Sequence, residues 1–82
     1  MQDYVLSSHC KKMLAERNIK ESWIEETIYC PQKIEEQEDE TTHYFKRISD
    51  YGNRVLHTVV NPLKSPKKIV TAFFDRKAGR IL

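Results

Sequence analysis

The 82-residue chain has only two glycines, Gly52 and Gly79, and they stand far apart. A glycine-rich phosphate loop needs several close together, so a nucleotide-binding fold of the Rossmann kind is excluded. No Cys-x-x-Cys pair, His-Glu-x-x-His helix or nucleophile elbow is present. Cys10 and Cys30 are the only cysteines, too few for a disulfide framework. Both fall in predicted helices and read as reduced thiols of a cytoplasmic protein, with a Cys10–Cys30 bridge the minor alternative. Their spacing with any of the three histidines fits no zinc finger, so neither metal nor cofactor is expected. No apolar run is long enough to span a bilayer, and no signal-peptide pattern opens the chain.

The net charge of +2 hides a strong segregation. Residues 1–20 carry four bases and two acids, residues 21–41 one base and eight acids, and residues 42–82 nine bases and two acids. The basic C-terminal half suits nucleic acid or an acidic partner; two ordinary solvated faces are the plain alternative.

The most β-prone stretch is Arg54 to Asn61, rich in β-branched residues and bounded by Gly52-Asn53 and Pro62. It reads as a central strand with His57 in its middle. Such an imidazole is either a satisfied core group or one placed for proton transfer. Before it, Tyr4-Val5-Leu6 reads as an edge strand, and Ser7-Ser8 offers an N-cap to a helix from about His9 to Arg17. Cys10, Met13 and Leu14 form that helix's buried stripe, with His9 and Arg17 flanking it. A second helix, from Lys20 or Glu21 to Tyr29, carries Trp23, Ile24 and Ile28 inward and is stopped by Pro31. Further strands are expected at Lys33–Gln37, Thr42–Ser49 and Lys68–Phe74. With Gly52-Asn53 as a two-residue hairpin turn, Ile48 opposes His57 and Phe45 opposes Val60. Asp75 to Leu82 reads as a basic tail, partly ordered by Ile81-Leu82. The expected fold is α+β in two layers within one domain: a helical hairpin on a twisted, mainly antiparallel sheet of about four strands.

The chemical inventory is His9, Arg17, His43, Tyr44, Lys46, Arg47, Arg54, His57 and Arg76. It suits metal-independent RNA cleavage. That reaction needs a base for the 2′-hydroxyl proton, an acid for the leaving 5′-oxygen, and cations for the charge developing on phosphorus. Each residue also has a plain reading. His9 is a helix-start residue that caps or packs, Arg17 neutralises a helix C-terminus, and His43 and Lys46 are solvated strand residues.

Four motifs follow in order: Ser7-Ser8-His9-Cys10 with Arg17-Asn18-Ile19 six residues on, Cys30-Pro31, Val55-Leu56-His57-Thr58-Val59-Val60, and Ile69-Val70-Thr71-Ala72-Phe73-Phe74. This order resembles a family of small bacterial domains grouped with the RelE/ParE toxin superfamily. The resemblance implies a RelE-like fold, a bacterial origin, a ribonuclease-like toxin role and neutralisation by an antitoxin. His9, Arg17 and His57 match the family's polar positions. The chain departs from the pattern at Phe73, where a strand-end tyrosine is usual, at Met13, where a base is usual, and at Asn18 in place of glycine.

The expectation is therefore a toxin-like endoribonuclease in which His9 and His57 share acid–base catalysis. Arg17, Lys46, Arg47, Arg54 and Arg76 bind RNA phosphate. Its partners are RNA, ribosome-bound mRNA included, and a cognate antitoxin; it contacts no membrane and is a monomer or weak homodimer. The alternative is a non-catalytic protein-binding module, a gyrase-directed inhibitor or a degenerate toxin-like domain.

Overall fold

A computed structural model describes residues 4–80 and 82. Five strands form one mixed sheet in the order β1-β5-β4-β3-β2. They are β1 (Tyr4–Leu6), β2 (Lys33–Glu36), β3 (Thr42–Ile48), β4 (Arg54–Asn61) and β5 (Lys67–Phe74). The last four form the expected antiparallel meander, and β1 joins the edge of β5 in parallel. The sheet thus has five strands where about four were expected, because Tyr4–Leu6 pairs with Lys67–Ile69 and extends it.

Helix α1 (Ser8–Glu16) starts where the Ser7 hydroxyl accepts from the Cys10 N–H at 3.0 Å. It ends at Glu16 with Arg17 as its C-cap, and Asn18 follows in the left-handed region at a φ of 56°. Helix α2 (Glu21–Tyr29) has Lys20 at its N-cap without a side-chain bond. A packed helical hairpin is not what forms. The helices lie on different strands, α1 over β5 and β1, and α2 over β3 and β4. Each buries its own apolar stripe directly on the sheet, and Ile19 in the link is itself buried in the core. That core joins Cys10, Leu14, Trp23, Ile24 and Ile28 to Ile48, Leu56, Val60, Ile69 and Ala72. Cys10 and Cys30 are both free thiols, the first buried and the second exposed, and burial pushes the Cys10 thiol up.

The β3–β4 turn corrects the expected register. Ile48 pairs with Arg54 and Phe45 with His57, three residues away from the two-residue hairpin. Ser49–Tyr51 form a turn of 3₁₀ helix, and the Asn53 N–H closes on the Ile48 carbonyl at 3.0 Å. The five-residue loop survives because Tyr51 stacks on Phe74 at 4.6 Å and lies 5.3 Å from Trp23, so its ring joins the core. An odd shift exchanges the two faces of a strand. His57 therefore shares a face with Phe45 and His43, and not with Ile48 and Lys46.

The C-terminal segment is no mere basic tail. Asp75 caps a short helix α3 (Arg76–Gly79) by accepting the Ala78 N–H at 3.1 Å. Ala78 and Leu82 pack on Phe45 and Val55 on the sheet face away from α1 and α2. Ile81, the other half of the expected anchor, lies outside the described residues.

Candidate functional site

Strand alternation with a period of two sets the site. On β4, Leu56 and Val60 face the helices, and Val55 and His57 face the other way. On this second face His57 sits between its cross-strand neighbours, with ring centroids 4.2 Å from Phe45 on β3 and 4.7 Å from Phe73 on β5. The two phenyl rings leave it 9% exposed. His43, further along β3, is half-buried.

The imidazoles belong to one line of hydrogen bonds across the sheet. Asp75 Oδ2 lies 2.9 Å from His57 Nδ1, and His57 Nε2 lies 2.6 Å from His43 Nδ1. His43 Nε2 is 3.1 Å from the Thr41 hydroxyl, which donates to Asp39 Oδ1 at 2.6 Å. Both ends are carboxylates that only accept. Four links need four protons. The Thr41 hydroxyl supplies one and two neutral imidazoles supply two, so the complete chain holds one further proton. The count fixes the outer links: Thr41 donates to Asp39, His43 Nε2 to Thr41 and His57 Nδ1 to Asp75. The central link runs from whichever ring carries the extra proton, and with His43 the harder ring to charge, His57 donates through Nε2 to His43. A second added proton would set N–H against N–H across the 2.6 Å gap.

The electrostatics agree. Burial, and then the neighbouring His57 charge, hold the His43 ring below its ordinary value, while Asp39 and Glu35 pull the other way. Burial alone would raise the Asp75 carboxyl, but the bonds from His57 and from the Ala78 N–H outweigh it and hold the group low. Asp39 is held low mainly by the Thr41 hydroxyl and backbone N–H. Among the described residues no three His, Cys, Asp or Glu side chains converge to hold a metal ion.

Of the residues given a catalytic or phosphate-binding role in the sequence, His57 alone stands in this chain. His9 lies exposed on α1, on the layer that covers the opposite face, so it does not pair with His57. Arg17 accompanies His9 beside Lys12, and its guanidinium donates to the Ala72 carbonyl at 2.9 Å. Lys46 pairs with Leu56 on the helix-covered side of the sheet. Arg47 is on the histidine face, but it donates to the main-chain oxygens of Asn53, Gly79 and Leu82 at 3.0, 2.7 and 2.9 Å. It thereby pins the C-terminal segment. Arg54 and Arg76 line a cavity of about 360 Å³ whose wall includes Asp75.

His43 and Asp75 are the participants that sequence reasoning missed. His43 stood in the chemical inventory, but with the two-residue turn it has no partner on β4, and it was read as a solvated strand residue. Its signal lay in the alternation His43, Phe45, Arg47, once the register is right. The signal for Asp75 was its place two residues beyond Phe73, the β5 partner of His57, with Ala78 at capping distance.

Fold and site together define a small α+β domain with a carboxylate–histidine–histidine proton chain on the face of its sheet opposite α1 and α2. The protein belongs to the family described as a domain of unknown function, DUF4258, whose model matches residues 6–74. The matched span contains both imidazoles and stops one residue short of Asp75. No curated protein and no solved structure gives a significant match.

Proposed function

We propose that the protein is a toxin-like, metal-independent endoribonuclease whose proton-transfer group is the His43–His57 pair, oriented by Asp75. The observation that carries this reading is the line of four hydrogen bonds, complete only when the two imidazoles hold one extra proton. With the pair neutral, the chain is one proton short. His43 Nε2, at the half-buried end, takes the 2′-hydroxyl proton as that oxygen attacks phosphorus. His57, bonded to Asp75, shares the charge. The same pair then delivers a proton to the departing 5′-oxygen, so its proton count is unchanged over the step. Arg54 and Arg76 supply cations for the phosphate backbone. A tyrosine is not required in this scheme, which suits Phe73 as a wall of the histidine slot. Kinship with the RelE/ParE superfamily and a cognate antitoxin rest on the motif order alone, a cytoplasmic setting rests on the reading of Cys10 and Cys30 as reduced thiols, and all three belong to the same proposal. Among the described residues no helix is long and apolar enough to cross a membrane.

The test is cleavage of RNA by the purified protein in EDTA, beside His43→Ala, His57→Ala and His9→Ala. General acid–base catalysis contributes roughly 10²–10⁴-fold. Both substitutions in the pair should remove activity on that scale in folded protein, with His9→Ala close to wild type. Cleavage that survives both, or that depends on His9 alone, refutes the assignment. Absence of cleavage of free and ribosome-bound RNA alike favours the protein-binding module.

A further inference from the structure

The cavity beside the site has its own chemistry. Arg47, Arg54, Arg76 and Arg80 line it against one carboxylate, Asp75, a surplus of three positive charges, and Val55 forms part of its apolar lining. Among the described residues none of Arg54, Arg76 and Arg80 is ion-paired with a carboxylate; the pairs that form are Lys33 with Glu35 and His57 with Asp75. Asp75 cannot neutralise them freely, because one of its oxygens takes the His57 N–H and the other the Ala78 N–H. Arg54, Arg76 and Arg80 on the wall of one cavity suit a tetrahedral dianion, which offers each planar fork a pair of oxygens; the Arg54 guanidinium lies over the Tyr51 ring, 5.2 Å from its centroid.

We propose that this cavity binds a phosphomonoester, and that Asp75, shared by the cavity wall and the histidine chain, couples its occupancy to the proton held by His43 and His57. The source of the phosphate, a strand end or a free nucleotide, rests on the nuclease reading; the anion site and the coupling do not. A dianion next to Asp75 adds negative charge beside the imidazolium of His57 and so favours the protonated pair. By reciprocity, protonation of the pair tightens anion binding by the same factor. The other charges facing the imidazoles are Glu35 and Lys33 from β2, Arg47 from β3, and Asp39 acting through Thr41. Glu35, Lys33 and Asp39 do not line the cavity; Arg47 does, but its guanidinium is already held by the Asn53, Gly79 and Leu82 carbonyls, so the contribution of all four is common to the free and occupied states.

Sulfate is the probe, because it keeps its charge across the histidine range. The Nε–H resonances of Arg54, Arg76 and Arg80 and the ring resonances of His43 and His57 are followed by NMR at pH 5–8, against sodium chloride of equal ionic strength. The expected result is a saturable sulfate response at the arginines with a rise of about half a pH unit in the histidine midpoint. Sulfate then binds about threefold tighter to the protonated form, by the same coupling. In Asp75→Asn sulfate still binds but moves the midpoint less, since only its charge through space remains; an undiminished shift overturns the part given to Asp75. In Arg54→Gln with Arg80→Gln, two exposed positions, the saturable response disappears. Lack of saturable binding in the wild type overturns the anion site, and binding without a histidine response overturns the coupling. Displacement of sulfate by a 5′-phosphorylated oligoribonucleotide or by adenosine 5′-monophosphate identifies the source. Equal displacement by the unphosphorylated oligomer overturns the preference for a phosphomonoester. None of these readouts is RNA cleavage, so failure of the nuclease reading is distinguishable from failure of this one.

Discussion

Replacing Asp75 with asparagine should complete the proton chain without its extra proton. In the wild type both ends of the line accept, and one imidazole must be cationic to make all four links. The substituted carboxamide can keep its oxygen on the Ala78 N–H, preserving the α3 cap, and turn its NH₂ toward His57. His57 then accepts at Nδ1 and donates from Nε2 to His43. With the carboxamide, Thr41 and two neutral imidazoles each donating once, four links have four protons. The magnitude follows from the bond lost. A charge-assisted bond exceeds a neutral one by about 1 kcal/mol net, which corresponds to about 0.7 pH unit in the midpoint of the pair. The partners are well shielded, with His57 and Asp75 side chains 11% and 20% exposed, so screening by solvent removes little of this. The direction is downward, because removing the carboxylate charge disfavours imidazolium. The assay is ¹⁵N NMR of the imidazoles through a pH titration, in which the Nδ1 resonance of His57 should change from protonated to unprotonated in the variant. An unchanged or raised midpoint, or a retained Nδ1 proton, would refute the proton count.

Further predictions concern stability. The folded His43 binds its proton less readily than the unfolded chain, so its contribution is intact above the ordinary value of 6.5 and is lost as pH falls from there toward the folded value. Asp75 is held low, so its contribution is present above 3.8 and lost as pH falls through the folded value. Urea melts of wild type and His43→Gln should therefore converge as pH falls from 7 to 5; parallel curves would contradict this. Thr58 is wholly buried and its hydroxyl has no partner among the described residues, so Thr58→Val should stabilise by about 1 kcal/mol in the same melts. A loss of stability would mean the hydroxyl is bonded. Arg47→Lys forfeits the fork to three main-chain oxygens and should cost about 1–3 kcal/mol, with faster amide exchange in α3. Unchanged exchange at Ala78 would show that Arg47 does not hold the segment.

The amino-acid sequence on its own determined α1, α2, the five strands and the apolar stripes of the two helices. Arg54–Asn61 is a strand with the predicted ends, Ser7 caps α1, Asn18 makes the left-handed turn, and Pro31 follows the end of α2. These features are local, set by β-branching, capping chemistry and backbone restriction within a few residues. The place of His57 on the central strand was legible for the same reason. Tertiary structure alone decided which faces meet. The β3–β4 register depends on Tyr51 gaining a place against Phe74 and Trp23, both distant from it in the chain, and that register brings His43 to His57. The separation of His9 from His57 depends on the layer α1 occupies, which its own periodicity leaves open. Asp75 enters the site only because α3 folds back onto Phe45 and Val55 beneath the Arg47 guanidinium. The proton chain is assembled from residues 39, 41, 43, 57 and 75, and no local rule of spacing joins residues so far apart in sequence.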